Sequence, residues 1–186
     1  METFIQWELE ILHRIQENGT DLGAAFWSFI TYFGESGIFW IAVALFLLCF
    51  KKTRLCGMTM SIALVIGLVL GNGVMKNLFA RPRPYTLDPD LHLRLLWGEM
   101  TKDYSFPSGH TLASFEAAVS LFLYHKKWGS AALFLAVMIA VSRIFLLVHY
   151  PSDVIVGAIL GSLFAILAFS LAKKCYNALQ KRYPNL

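Results

Sequence analysis

The chain has 186 residues, 57% of them hydrophobic and 15% charged, with mean hydropathy +0.58 and a formal net charge of +4. A water-soluble domain is usually about 45–50% apolar and about 25% charged. The composition therefore excludes an ordinary soluble enzyme, and the long apolar blocks predict an all-α, polytopic helical membrane bundle of about six helices forming one domain over 1–186. The positive charge calls for no nucleic-acid partner, because most Lys and Arg residues flank apolar runs, as membrane topology dictates.

Residues 2–17 place Ile5, Leu9, Leu12 and Ile15 on one helical face, with Glu8, Glu10, Arg14 and Glu17 elsewhere. This predicts an amphipathic helix over 1–18 lying at the membrane interface. It lacks the basic-then-apolar order of a secretory signal. Asn18-Gly19 ends it, and Thr20 or Asp21 can cap the next helix. The apolar region 22–50 is interrupted by Gly34-Glu35-Ser36-Gly37, so two short helices and one interrupted hairpin both fit. A clear span comes next at 55–79, with Gly67 and Gly71 at the spacing that admits a close helix. Residues 80–106 form a polar, Pro-containing loop. Further spans are expected at 109–124, 128–148 and 152–172, the last with Gly157 and Gly161.

Counting spans brings Lys51, Lys52, Arg54, Lys126, Lys127, Lys173, Lys174, Lys181 and Arg182 to one face, which is the cytoplasmic one by the positive-inside rule. The 80–106 loop and the turn at 149–153 then meet at the outer face of a plasma membrane. Asp88, Asp90, Glu99 and Asp103 nearly balance the cations of that loop. Cys49, Cys56 and Cys175 form no C-x-x-C pair and are expected to be reduced packing residues. Trp40, Trp97, Tyr104, Trp128 and Tyr150, at span ends, are expected to be interfacial anchors, and His13, His92 and His125 interfacial side chains.

Three clusters carry chemistry. An ionisable group at membrane depth costs about 2.5–3.5 kcal/mol on insertion scales, so such groups are rare without a purpose. Ser142 and His149 are seven apart, two helical turns, and so share a face, and Arg143 can snorkel toward the same end. Asp153 comes within reach of His149 if the chain turns tightly at Pro151. A carboxylate on one imidazole nitrogen fixes the tautomer and leaves the other free to attack or to accept a proton. Lys76 and Arg83 bracket the end of the third apolar region, where prolines stiffen the exit. Ser108-Gly109-His110 opens the next span, where Ser108 can cap and free amides bind anions. Three cations, amide donors, two histidines and a carboxylate therefore converge on one spot, and phosphate suits such a cavity. No magnesium or zinc ligand set is legible. Arg81 and Arg94 are expected to touch lipid headgroups or the loop. Glu116 is expected either to pair with Arg143 or to face a polar gap.

K-x6-R-P (Lys76 to Arg83-Pro84), P-S-G-H (Pro107 to His110) and S-R-x5-H-x3-D (Ser142-Arg143, His149, Asp153) resemble the three signature motifs of the type-2 phosphatidic acid phosphatase superfamily. The match covers 76–153 in order, while the first 75 residues match in general layout only. The resemblance implies a cofactor-free, metal-independent phosphatase with a membrane lipid phosphate as substrate. By it His149 is the nucleophile that forms a phosphohistidine, Asp153 orients it and His110 is the general acid. Lys76, Arg83, Arg143, Ser108 and Gly109, with help from Ser142, hold the phosphoryl oxygens. Spacing alone does not say which histidine attacks. On the analogy with compact bacterial members the leading substrate is undecaprenyl diphosphate, with phosphatidic acid, phosphatidylglycerol phosphate and diacylglycerol diphosphate as competitors. Phosphotransfer to another acceptor, such as lipid A, stays open, as does a non-enzymatic anion-binding transporter. The apolar spans argue against the superfamily's soluble vanadate-dependent haloperoxidases.

Overall fold

The computed structural model describes residues 2–94 and 103–182, and the regular structure among them is helical. The expectations for Trp97 and Glu99 fall outside the described residues. The first helix, α1, runs Glu2–Asn18 and α2 runs Asp21–Tyr32, capped by Thr20, whose Oγ1 accepts from the Gly23 amide at 3.1 Å. A 3-10 turn at Glu35–Gly37 leads into α3, Ile38–Leu48, with Ser36 (φ 50°) and Gly37 (φ 66°) left-handed. The 22–50 region is thus two short helices, α2 packing on α8 and α3 on α4.

The third apolar region begins as α4, Arg54–Ile66, widens into a π-helix over Gly67–Met75 and ends as α5, Lys76–Phe79, where Ala80 (φ 44°) stops it. Gly67, Gly71 and Gly73 weaken the α preference of the widened stretch. Pro84 opens a single turn, α6, Pro84–Leu87. Then come α7, Gly109–Tyr124, α8, Lys126–Phe145, and α9, Pro151–Arg182. Among the described residues, four helical stretches are long and apolar enough to cross a membrane: Asp21–Leu48, Arg54–Leu87, Lys126–Phe145 and Pro151–Arg182.

The shorter α7 is the axis of the bundle, packed by α4, the π segment, α8 and α9. Both small-residue pairs seat it. A Cβ added at Gly71 would stand 2.3 Å from the Leu112 side chain, and one at Gly161 would stand 2.5 Å from the Leu112 carbonyl. Thr59 and Tyr124 share a hydrogen bond at 2.9 Å, and the Tyr124 ring meets Phe169 at 5.2 Å. The start of α4, the end of α7 and the second half of α9 therefore lie at one end, with the basic residues. The motif clusters lie at the other. Leu22, Leu78, Phe134 and Ile155 project outward as a lipid-facing belt.

Several expectations are corrected. The α8 helix stops at Phe145, three residues before the expected 148, because Leu147 (φ 61°) turns left-handed and the Val148 amide donates back to the Arg143 carbonyl at 3.2 Å. Ser142 and His149 consequently share no helix face. Helical structure in α9 continues through the basic tail to Arg182. Trp40 and Tyr150 are buried rather than interfacial. Trp40 Nε1 donates to Ser114 Oγ at 3.0 Å, satisfying the one polar atom of a buried indole. On α1, Glu8 is fully buried beside Leu12 instead of facing water. All three cysteines are free.

At the glycine seat of α7, Gly161→Ala forces a methyl against backbone and should cost about 1–3 kcal/mol. Gly73→Ala meets its nearest atom at an ordinary 3.5 Å. Thermal unfolding in detergent should show Gly161→Ala melting several degrees below wild type, with Gly73→Ala close to wild type.

Candidate active site

His149 lies in the turn between α8 and α9. The left-handed Leu147 reverses the chain, Pro151 suits the first position of α9, and Asp153 falls in the first turn, where the helix dipole favours a carboxylate. This brings His149 Nδ1 to 3.4 Å from Asp153 Oδ2. The same oxygen accepts from the Tyr150 amide at 3.1 Å and from Ser105 Oγ, which also stands 3.3 Å from His149 Nδ1. The other ring nitrogen, Nε2, is 3.4 Å from Arg83 NH1. Burial pulls the imidazole pKa down to about 3, against the hydrogen bond to Asp153 and with the nearby Arg83 and Arg143, so the ring is neutral at neutral pH.

Arg83 is held on three sides. Its Nε donates to the Asp103 carbonyl at 3.1 Å, NH1 to the Val148 carbonyl at 3.0 Å and NH2 to Asp103 Oδ1 at 2.6 Å. Lys76 Nζ pairs with the other oxygen of Asp103. Asp103 thus bridges two of the three expected phosphate-binding cations while its side chain stays 46% exposed. Burial would raise its pKa, but the hydrogen bonds and charges of Lys76 and Arg83 outweigh that and hold it well below the usual carboxylate range. Arg143, at the end of α8, donates from NH1 to Thr31 Oγ1 at 2.6 Å, and its buried Nε has no partner among the described residues.

At the start of α7 the Ser108 amide donates to the Asp153 carbonyl at 3.2 Å, locking two clusters together. Ser108 Oγ accepts from Thr111 at 3.0 Å. Gly109 faces Asn72, whose Oδ1 would stand 2.8 Å from any Cβ there. His110 Nε2 lies 3.3 Å from Glu35 Oε2. Lys76, Arg83, Gly109, His110, Arg143 and His149 all line a cavity of about 840 Å³. Asp153 stands behind His149, and Ser108 is buried behind the wall. Ser142 is also absent from the cavity wall, its hydroxyl donating to the Ile139 carbonyl at 2.6 Å in its own helix.

The cavity continues along α7 past Leu64, Leu68, Leu112 and Ala113 to Glu116. Glu116 does not pair with Arg143. The two leave α7 and α8 in different directions, Arg143 toward Thr31 on α2 and Glu116 toward Gly67 on the π segment, where its Oε1 has no partner among the described residues. Arg81 is also corrected. It reaches Asp153 Oδ1 at 2.6 Å and Glu8 Oε2 at 2.5 Å, not a headgroup. Sequence reasoning passed over Ser105, Asp103, Glu35 and Glu8 as site residues. Glu8 lies inside α1 and the others in a loop or at a helix end, and only Ser105, two before Pro107, sits close to a motif.

Three cations and a helix N-terminus around one neutral imidazole suit a multiply charged oxyanion. Beyond the polar end, the cavity is lined by Leu64, Leu68, Leu112 and Ala113, with the Glu116 carboxylate at its far end.

An undecaprenyl-diphosphatase of Sulfolobus acidocaldarius is 38% identical over 144 residues, covering 77% of this chain and 68% of that one. The bacitracin transport permease protein BcrC of Bacillus licheniformis is 40% identical over 123 residues, 66% of this chain, and the match spans 59% of that protein's length. In fold, the chain superposes on the transmembrane PAP2 type phosphatidylglycerolphosphate phosphatase from Bacillus subtilis with a TM-score of 0.75 at 24% identity, over 94% of this chain and 88% of that one. The family model of the PAP2 superfamily matches residues 51–176, a stretch that contains all three clusters around the cavity, and the chain belongs to that superfamily.

Proposed function

We infer that this protein is a membrane lipid phosphatase that works without a metal, through a phosphohistidine on His149. The observation that carries the reading is a buried, neutral imidazole with Nδ1 backed by Asp153 and Nε2 turned to Arg83 at the cavity wall. In the first step Nε2 attacks phosphorus, the bond from phosphorus to the leaving oxygen breaks, and His110 supplies the proton that oxygen takes. The Nδ1 proton stays hydrogen-bonded to Asp153, whose charge stabilises the cation forming on the ring. Water then attacks phosphorus, His110 takes its proton, the P–N bond breaks and inorganic phosphate leaves. Lys76, Arg83, Arg143 and the Gly109 amide hold the non-bridging oxygens, performing the charge neutralisation a metal would otherwise perform. Ser108 supports that wall. Ser142 joins it only by turning its hydroxyl away from the Ile139 carbonyl.

The leading substrate is undecaprenyl diphosphate, supported by the name of the Sulfolobus relative; the leucine-lined part of the cavity suits the hydrocarbon of any of the candidate lipids. Phosphatidic acid and other glycerolipid phosphates are the competing substrates, and transfer of the phosphoryl group to a second lipid is the competing reaction. The chain is read as one multi-pass domain of the plasma membrane with its site on the extracytoplasmic side. The gathering of basic residues at the opposite end of the bundle supports that orientation.

Phosphate release by detergent-purified protein in EDTA, with undecaprenyl diphosphate and phosphatidic acid offered side by side, tests the reading. Turnover should persist in EDTA and fall more than about a thousandfold in His149→Ala. Brief reaction with labelled substrate should leave an acid-labile, alkali-stable phosphoenzyme that the variant lacks. Metal-dependent turnover, or undiminished release by His149→Ala, would overturn it.

Asp103→Asn removes the carboxylate that competes for Lys76 and Arg83, so inorganic phosphate should inhibit about fivefold or more tightly, roughly 1 kcal/mol. Looser inhibition would mean that Asp103 positions the cations for phosphate instead. Stability should also respond to pH through the nucleophile. His149 has a folded pKa of about 3 against the unfolded value of about 6.5. Its neutral burial is without penalty above pH 6.5 and opposes folding increasingly as pH falls, by about 2 kcal/mol at pH 5. The melting temperature of wild type relative to His149→Ala should therefore fall between pH 7.5 and pH 5.

A further inference from the structure

The N-terminal helix reaches the reacting histidine through two residues that belong to none of the three motifs. Glu8 on α1 is 0% exposed. An ionised carboxylate so buried is costly unless it is paired. Its Oε2 accepts from Arg81 NH2 at 2.5 Å and its Oε1 from the Ser152 amide at 2.9 Å. Arg81 uses its other terminal nitrogen on Asp153 Oδ1 at 2.6 Å and Ser152 Oγ at 2.8 Å, with its guanidinium 3.8 Å over the Tyr150 ring. Asp153 turns its remaining oxygen to His149.

We propose that Glu8 and Arg81 are positioning residues for the Asp153–His149 pair, which makes α1 a working part of the active site. The proposal rests on His149 being the nucleophile. Arg81 alone against Asp153 would cancel the charge that stabilises the ring cation. Glu8 shares that guanidinium, so the three groups keep one net negative charge behind His149. The planar fork of arginine lets one side chain bind both carboxylates in fixed directions, which a lysine point charge does not. The charged groups facing the pair are Arg81 and Glu8 on one side and Arg83 and Arg143 on the other, with the Tyr150 hydroxyl and Ser105 as neutral neighbours.

Docking of α1 also rests on contacts other than those of Glu8. Leu12 is buried with Leu91, Leu147 and Tyr150. His13 Nε2 meets Asp88 Oδ2 at 2.8 Å, and Gln16 bonds the Asp90 carbonyl at 2.9 Å and the His92 amide at 2.7 Å. Glu8→Gln therefore tests charge with the helix in place.

The experiment follows phosphohistidine formation in a single turnover, together with steady-state kcat and KM, for full-length wild type, Glu8→Gln, Glu8→Asp, Arg81→Lys and the Glu8→Gln/Arg81→Lys double variant. Glu8→Gln should lose about tenfold or more in kcat and in the phosphorylation rate, with KM within about twofold. Glu8→Asp, which keeps the charge, should recover part of that loss. The double variant should lose little more than Arg81→Lys alone, because the two residues act through one contact chain. Phosphorylation by Glu8→Gln at the wild-type rate, a loss confined to KM or melting temperature, or fully additive losses would overturn the proposal. Failure of wild type to form phosphohistidine would instead remove the nucleophile assignment on which it rests.

Discussion

Charge buried at the end of an apolar bundle must find opposite charge, and the polar end of this protein is arranged around that requirement. Arg81 lies between Glu8 and Asp153, and Asp103 lies across Lys76 and Arg83. Each pairing joins segments far apart in the chain, so the same contacts that neutralise charge also hold the helix ends at the polar end of the bundle together. Pairs of this kind add little net stability, because desolvation offsets most of the attraction, yet losing one partner is costly. Their value here is geometric: they set where Asp153 and Arg83 point, and so where His149 points.

Asp103 belongs to that arrangement in a second way. A carboxylate shared between a lysine and an arginine resembles, in charge and spacing, part of the anion the cavity suits. The two cations are kept desolvated and oriented without a ligand. On the proposed reading, an incoming phosphate competes with this partly exposed carboxylate for both cations.

The apolar part of the fold serves the same end by other physics. Within a bilayer, helices gain little from hiding hydrophobic surface and associate where small residues allow close packing. The glycine pairs on the π segment and on α9 provide this around α7, drawing Gly109 and His110 to the level of Lys76 and His149. The π-helical widening contains Gly67, Gly71 and Gly73, where the α preference is weak. It ends directly at Lys76, where such distortions often accompany function.

Much of this was legible from residue order. Apolar runs of the right length are enough to specify spans, because a helix that satisfies its own backbone is the simplest way for a single segment to cross lipid. Gly67, Gly71, Gly157 and Gly161 could be read as contact faces, and the turn at Pro151 as the device that returns Asp153 to His149, since these are local properties. Periodicity misled where a local break intervened: the left-handed Leu147 ends α8 early and separates Ser142 from His149. Other features were decided by tertiary structure alone. Nothing in the surroundings of Glu8, Arg81, Asp103 or Ser105 in the chain distinguishes them from surface polar residues. Which carboxylate meets which cation depends on contacts between segments some 20 to 73 positions apart, so pairing of charge, unlike hydrophobic period, has no signature along the chain.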